Sequence, residues 1–244
     1  MAKTPKGTIA IEEAVLNPDG IAWMAESAAL FNPGLKQLDS SKLANHGHTP
    51  DLLDIHNNRL ARMDAHGVEY MLLSLTSPGA QGEPDAAKAK KLAADANDWL
   101  ASQVAQNPSR FGAFAAVSMH NAPDAIAEAR RAVKELGMFG VMLNDYQVVS
   151  EGGDVEGKKY YDAKEFLPFW EAIQELDVPV YMHPRYPQAK DLQPQTRYGD
   201  RKQILGAAVQ FHLDLSMHVY AICSSGVFDA FPGVQLVVGH LGEG

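Results

Sequence analysis

Three features of the sequence predict an α/β fold assembled from βαβ units in series. Short, nearly continuous apolar runs recur along the chain, helical stretches lie between them, and 244 residues is close to the roughly 250 typical of one large barrel domain. Apolar runs of this kind suit strands with a helix layer on one face and a packed interior on the other. Right-handed βαβ units in series build either a closed barrel or a doubly wound sheet.

The strands are expected at TIAIEEA (8–14), VEYMLLSL (68–75), FGAFAAVSM (111–119), MFGVMLND (138–145), VPVYMHP (178–184) and VQLVVGH (234–240). Helical segments separate them. In PDLLDIHNNRLARMDAHG, Leu52, Ile55, Leu60 and Met63 fall near helical spacing and Gly67 ends the run; a second helical run stops before Pro108. APDAIAEARRAVKELG and AKEFLPFWEAIQELD follow the same plan. Two long irregular stretches interrupt the rhythm, at about 15–50 and 185–203, and loops of that length inside a compact domain are usually functional. Both follow strands, so in a barrel they lie over the carboxyl-terminal mouth. The organisation expected is one domain over 1–244 with two insertions at its mouth.

Composition narrows the function. Hydrophobic residues make up 46% and charged residues 21%, ordinary for a globular protein, and the formal net charge of −9 offers no basic face to nucleic acid. Cys223 is the only cysteine, so an intrachain disulfide is excluded. The opening MAKTPKGTIAIEEA lacks the apolar core of a secretory signal, and no uncharged apolar stretch approaches the ~18 residues needed to span a bilayer. These features predict a cytoplasmic protein with no membrane partner. GxGxxG after the first strand, GxxxxGK[ST] and GxSxG are all missing, which removes support for dinucleotide binding, Walker-type phosphate binding and a serine nucleophile elbow.

Four ionisable side chains share one topological position, at or just beyond the carboxyl end of a strand: Glu12, His183, His240 and Glu243. Strict alternation would turn Glu12 inward with Ala10 and Ala14 and leave Ile9, Ile11 and Glu13 against the helix layer. One carboxylate and one imidazole converging from different strands form a plausible divalent-metal site. Each has a plain structural alternative: a solvated strand end for Glu12, a hydrogen-bonded structural imidazole for His183, turn glycines for Gly239 and Gly242. His46 and His48 in HGH read as surface residues, and Cys223 as core packing.

With those residues in view, the chain resembles the amidohydrolase-related metal-dependent hydroxybenzoate decarboxylases, the group that includes 2,3-dihydroxybenzoate, γ-resorcylate and orsellinate decarboxylases. The resemblance runs through IAIEEA (9–14), RLARMDAHGVEYMLLSLTSPGAQ (59–81), RFGAFAAVSMH (110–120), ELGMFGVMLND (135–145), LDVPVYMHPR (176–185) and GVFDAFPGVQLVVGHLGEG (226–244). It implies a distorted TIM-like (β/α)8 barrel, of which this chain would hold about six βα units, and one divalent ion, Zn2+ or Mn2+, with no organic cofactor. Glu12 and His183 match the metal ligands of the first and fifth strands. Ala14 stands where some relatives carry a second histidine on the first strand, a substitution shared with the dihydroxybenzoate and orsellinate branch. His240 and Glu243 match a GHxGE pair that hydrogen-bonds around the catalytic acid, and Asn144 matches a substrate contact.

The implied reaction is non-oxidative decarboxylation of an ortho-hydroxybenzoate, 2,3-dihydroxybenzoate-like, to a phenol and CO2. The partners implied are a small aromatic carboxylic acid and further copies of the chain, as a dimer or tetramer. In the family another stretch follows GHxGE and carries an aspartate that both ligates metal and transfers the proton, so this chain is expected to be weakly active or inactive alone. Two alternatives stay open: a metal-dependent hydrolase of an amide or lactone on the same barrel, and a non-catalytic shortened homologue.

Overall fold

A computed structural model describes residues 7–21, 40–152 and 155–240. The chain divides into two compact units, one formed by residues 1–76 with 98–113 and the other by 77–97 with 114–244.

The first unit is built on three parallel strands in the order β1 (Thr8–Val15), β2 (Val68–Leu75), β3 (Phe111–Ala113). Among the described residues between β1 and β2, the short helix α1 (Ser40–Ala44) lies inside the expected insertion, while the helical run expected from Pro50 to Gly67 is split into α2 (Thr49–Leu53) and α3 (Asn58–His66). Helix α3 starts where the Asp54 carboxylate accepts the backbone N–H groups of Asn57, Asn58 and Arg59, satisfying donors that have no partner within the helix. It stops at Gly67, whose φ of 69° is the left-handed conformation that glycine adopts without a steric penalty.

Strict alternation fails along β1. Ala10 stands opposite Met71 and Glu13 opposite Leu73, so Ile11 and Glu12 together face only Leu72. Two residues against one is a β-bulge, which bends the strand and re-aims its side chains. Ala10 therefore shares a side of the sheet with Glu13, and Ala14 shares the other side with Ile9, through their partners Ser74 and Tyr70. The expected burial of Ile9 and Ile11 under a helix layer is also wrong, since they are 45% and 42% exposed.

The second unit carries four parallel strands in the order β4 (Ala115–Ala116), β5 (Val141–Asn144), β8 (Val180–His183), β9 (Leu236–Val238). The single strand expected over 111–119 is thus interrupted at Phe114, with β3 pairing to β2 and β4 to β5. Two open parallel sheets, and no closed ring of strands, are seen among the described residues. A hairpin of β6 (Gln147–Gly152) and β7 (Val155–Lys159) follows β5 and carries no signal in the apolar pattern.

Helix α4 (Ala86–Gln106) runs through both units. In the second unit, α5 (Ala122–Lys134) begins with Asn121, whose side chain accepts the Asp124 amide, and buries Ala122, Ala125, Ala129 and Ala132 along one face. Helix α6 (Leu167–Leu176) buries Phe169, Trp170, Ala172 and Ile173. Helix α7 (Gln210–Ser224) and the short α8 (Val227–Ala230) lead into β9. Cys223 lies on an exposed face of α7, correcting the core position expected for it. No helix among the described residues is long and apolar enough to cross a membrane.

The ladder of the second unit leaves no room at Gly140, just before β5. A Cβ there would lie 2.3 Å from the Pro179 carbonyl oxygen and 3.1 Å from the Phe114 ring. That oxygen accepts the Val141 amide while the Gly140 oxygen accepts that of Ala115, so neither backbone can retreat. Gly140→Ala is expected to destabilise the chain by about 1–3 kcal/mol through overpacking, read as a lower urea midpoint with an unchanged slope.

Candidate functional site

In the second unit the parallel register brings the residues of interest to one end of the sheet. Val141, Met142, Leu143 and Asn144 on β5 pair in step with Val180, Tyr181, Met182 and His183 on β8, so Asn144 and His183 are neighbours at the two carboxyl ends. Strand β9 runs alongside in the same direction and the Gly239 amide donates to the Met182 oxygen, which sets His240 beside His183. Their rings meet edge to face with centroids 5.1 Å apart, and the Phe211 ring packs against His240 at 5.6 Å. Both imidazoles are partly exposed.

His240 has a φ of 55°, a left-handed conformation that costs a non-glycine residue about 1–3 kcal/mol and clusters at functional sites. Its carbonyl oxygen is held by Nδ1 of His212 on α7, and Nε2 of His212 reaches the Ala207 oxygen at 2.7 Å. The strained backbone is therefore tied to a helix. Glu243 lies outside the described residues.

Asn144 is only 5% exposed. Its side-chain Nδ2 donates to the Pro78 oxygen at 3.0 Å and to Oε1 of Gln81 at 3.2 Å, while its backbone amide donates to the same Oε1 at 2.7 Å. The Asn144 carbonyl oxygen accepts from Nε2 of Gln81 at 3.3 Å and from the Tyr161 hydroxyl at 2.8 Å. Burial pushes the Tyr161 phenol well above its ordinary pKa, so it stays protonated and able to donate. Gln81 is 2% exposed, and its own carbonyl oxygen accepts from Nη1 of Arg185, 3.0 Å away, and from Gln147. Arg185 also donates to the Tyr146 oxygen and lies 4.1 Å from the Tyr146 ring centroid. One glutamine after β2 thus links the exits of β5 and β8.

Beneath this web lies a buried hydrogen-bonded pair. Nδ1 of His218 on α7 donates to Oδ1 of Asp145 at 3.1 Å, and its Nε2 accepts the Tyr161 amide at 3.0 Å. The two side chains are 0% and 2% exposed. The ring is wedged between Tyr160 and Tyr161, each with its centroid 5.0 Å away. Neither Gln81 nor this pair stands out in the sequence, because each is a single polar residue without a motif.

In the first unit, the bulge falls on Glu12, which is partly exposed. The next residue, Glu13, is engaged by Arg59 of α3 at 3.0 Å. Burial pushes the Glu13 carboxyl up, the Arg59 guanidinium opposes that, and the adjacent Glu12 charge adds to it. His46 and His48 are exposed, in keeping with the surface reading of HGH.

The sequence pattern of the amidohydrolase family matches residues 45–244. The chain belongs to the amidohydrolase family. It is 38% identical over 239 residues to the γ-resorcylate decarboxylase of Rhizobium radiobacter, covering 98% of this chain and 68% of that protein. The γ-resorcylate decarboxylase of a Polaromonas species is 40% identical over 193 residues, covering 79% of this chain and 57% of its own length. Among solved structures, a 2,6-dihydroxybenzoate decarboxylase complexed with 2,6-dihydroxybenzoate superimposes with a TM-score of 0.83 at 35% identity, over 98% of this chain and 68% of that one. A dihydroxybenzoic acid decarboxylase of Polaromonas with bound manganese and the inhibitor 2-nitroresorcinol gives 0.78 at 34% identity, over 95% and 64%. This chain therefore spans about two thirds of the length of these relatives, or somewhat less.

Removing one member of the buried pair leaves the other without its partner in a region that water does not reach. His218→Leu is expected to cost about 1–3 kcal/mol, because the Asp145 carboxylate loses its only described side-chain partner. The double variant His218→Leu with Asp145→Leu is expected to recover part of that loss, both being read from urea unfolding.

Proposed function

We propose that this amidohydrolase-family chain carries out metal-dependent, non-oxidative decarboxylation of an ortho-hydroxybenzoate. The carrying observation is that a chain alike over 98% of its length to a γ-resorcylate decarboxylase has an acid and two imidazoles at the carboxyl ends of its strands. 2,6-Dihydroxybenzoate is the first substrate to test, because the relatives named above act on it; 2,3-dihydroxybenzoate is the second. The setting inferred is a single (β/α)8-type barrel domain, acting in the cytoplasm as a homo-oligomer, a dimer or tetramer.

The donor chemistry fits a hard-to-borderline divalent cation. Glu12, His183 and His240 offer one carboxylate oxygen and two ring nitrogens, the donor types such an ion takes. We assign Glu12 and His183 as ligands of one Mn2+ or Zn2+, and His240 with Glu243 to the reacting proton. When bound, the ion would act as a Lewis acid toward the substrate carboxylate and its ortho hydroxyl.

The remaining work falls to the protein. Nδ2 of Asn144 is already committed to Pro78 and Gln81, so Oδ1 is the atom through which it would accept a ring hydroxyl. His240 and Glu243 would keep the proton-donating acid protonated near neutral pH through hydrogen bonds, the usual means of raising such a group. A proton added at the carboxyl-bearing ring carbon interrupts aromaticity. Cleavage of the bond to the carboxylate then returns its electron pair to the ring and releases CO2, with no oxidant consumed.

Purified chain is expected to bind one Mn2+, and its release of labelled CO2 from carboxyl-labelled 2,6-dihydroxybenzoate, slow as it is expected to be, should occur only when the ion is present. Glu12→Gln and His183→Asn should lose the ion and the turnover together, whereas His240→Asn should keep the ion and lose at least about a hundredfold in rate, a typical minimum for removing a group that assists proton transfer. Metal-dependent hydrolysis of an amide or lactone panel without CO2 release would overturn the proposal in favour of hydrolase chemistry.

A further inference from the structure

Two carboxylates are neighbours in the second half of β1, and a bulge there decides which way each points. Ile11 and Glu12 together oppose Leu72, so the ladder is broken at the residue assigned to the metal. A slip of one residue exchanges the sides on which neighbouring side chains emerge, which would present Glu13 in place of Glu12. In its three-stranded sheet, β1 is an edge strand, paired only with β2. Its register needs a further restraint.

Arg59 supplies one. Its guanidinium reaches three points on one side of the bulge and behind it: Nη1 bonds Oε2 of Glu13, Nη2 bonds the Ala14 carbonyl oxygen, and Nη2 also bonds the Asp51 oxygen, all at 3.0 Å. Nε donates to the Asp54 oxygen at 3.0 Å, and Nη1 touches Sδ of Met71 on β2 at 3.8 Å. The anchor is itself fixed, because the Asp54 carboxylate caps the first turn of α3, from which Arg59 projects. Immediately beyond, the Leu16 amide bonds the Leu52 oxygen at 2.9 Å and the Thr76 amide bonds the Val15 oxygen at 2.8 Å. The Arg59 side chain is 13% exposed, so water competes little for these bonds.

We propose that Arg59 is a positioning residue for the metal: it pins the bulged end of β1, holds Glu13 back in an ion pair, and thereby makes Glu12 the carboxylate presented to the cation. This rests on the assignment of Glu12 as a ligand made above. Lysine cannot replace the fork, since one ammonium is a point charge and cannot span a carboxylate and three carbonyl oxygens in one plane. Groups that support a ligand without touching the metal typically change metal affinity by about 10–100-fold, and Arg59 acts one residue from the ligand, so the lower end applies.

The test measures Mn2+ affinity by calorimetry on the purified chain, beside a thermal unfolding midpoint for each variant. Arg59→Lys is expected to weaken Mn2+ about tenfold. Glu13→Gln, which keeps an oxygen for Nη1 to bond, should stay within about twofold of the parent, and Glu12→Gln should lose more than about a hundredfold. Asn121→Ala, which removes the cap of α5, should lower the midpoint and leave Mn2+ affinity unchanged, showing that lost stability alone does not weaken the ion. Undiminished Mn2+ binding by Glu12→Gln, or none by the parent, would sink the metal assignment and this proposal with it. Loss in Glu12→Gln with unchanged affinity in Arg59→Lys would overturn the role of Arg59 alone. Should Arg59→Lys not fold, a Glu13→Gln chain as impaired as Glu12→Gln would overturn it equally, because Glu13 would then be a ligand and not a carboxylate held in reserve.

Discussion

Parallel pairing in phase is the constraint from which the candidate chemistry follows. Strands β5, β8 and β9 run in one direction and are matched residue for residue, so each delivers its last side chain to the same rim. Asn144 and His183 are paired by that register, and His240 follows β9 to its place beside them. In a parallel sheet the connections return behind the strands, which leaves the carboxyl ends open to ligands. No single interaction here is strong. The order comes from backbone hydrogen bonds that a slip of one residue would break together.

Polar groups brought to such a rim must be satisfied, and the molecule meets that demand by sharing. Gln81 uses both ends of its amide and its own carbonyl oxygen on Asn144, Tyr161 and Arg185. Asp145 is buried yet bonded to His218, whose second nitrogen takes a backbone amide. A buried polar group left unpaired costs more than its hydrogen bond returns, so webs of this kind hold their geometry firmly. The stiffness is useful next to residues that have to meet a substrate in one orientation.

How much of this was legible in the sequence depends on how local each cause is. Strand positions were readable because apolar runs report burial directly; Val141–Asn144 and Val180–His183 lie inside the expected segments. Helix ends were readable where Gly67 carries the signal. Glu12, His183 and His240 were singled out as candidates because each follows an apolar run, while Glu243 falls outside the described residues. The hairpin at 147–159 was missed since its register is set by mutual pairing and not by a buried face. The bulge at Ile11 and Glu12 defeated the alternation argument, for strand parity assumes one residue against one. Gln81, Arg59 and the Asp145–His218 pair gave no warning, because their partners lie far away along the chain and only folding reveals them.

The shared use of Gln81 also limits how this scaffold can diversify. A residue that serves the exits of two strands at once cannot drift without disturbing both, so new ring preferences would not begin in the segment after β2. Variation disturbs less in the stretch that follows His183, where Tyr186 is 51% exposed and its ring meets that of Phe211 edge to face. Substitutions sampled in that stretch would leave the shared frame around Gln81 in place.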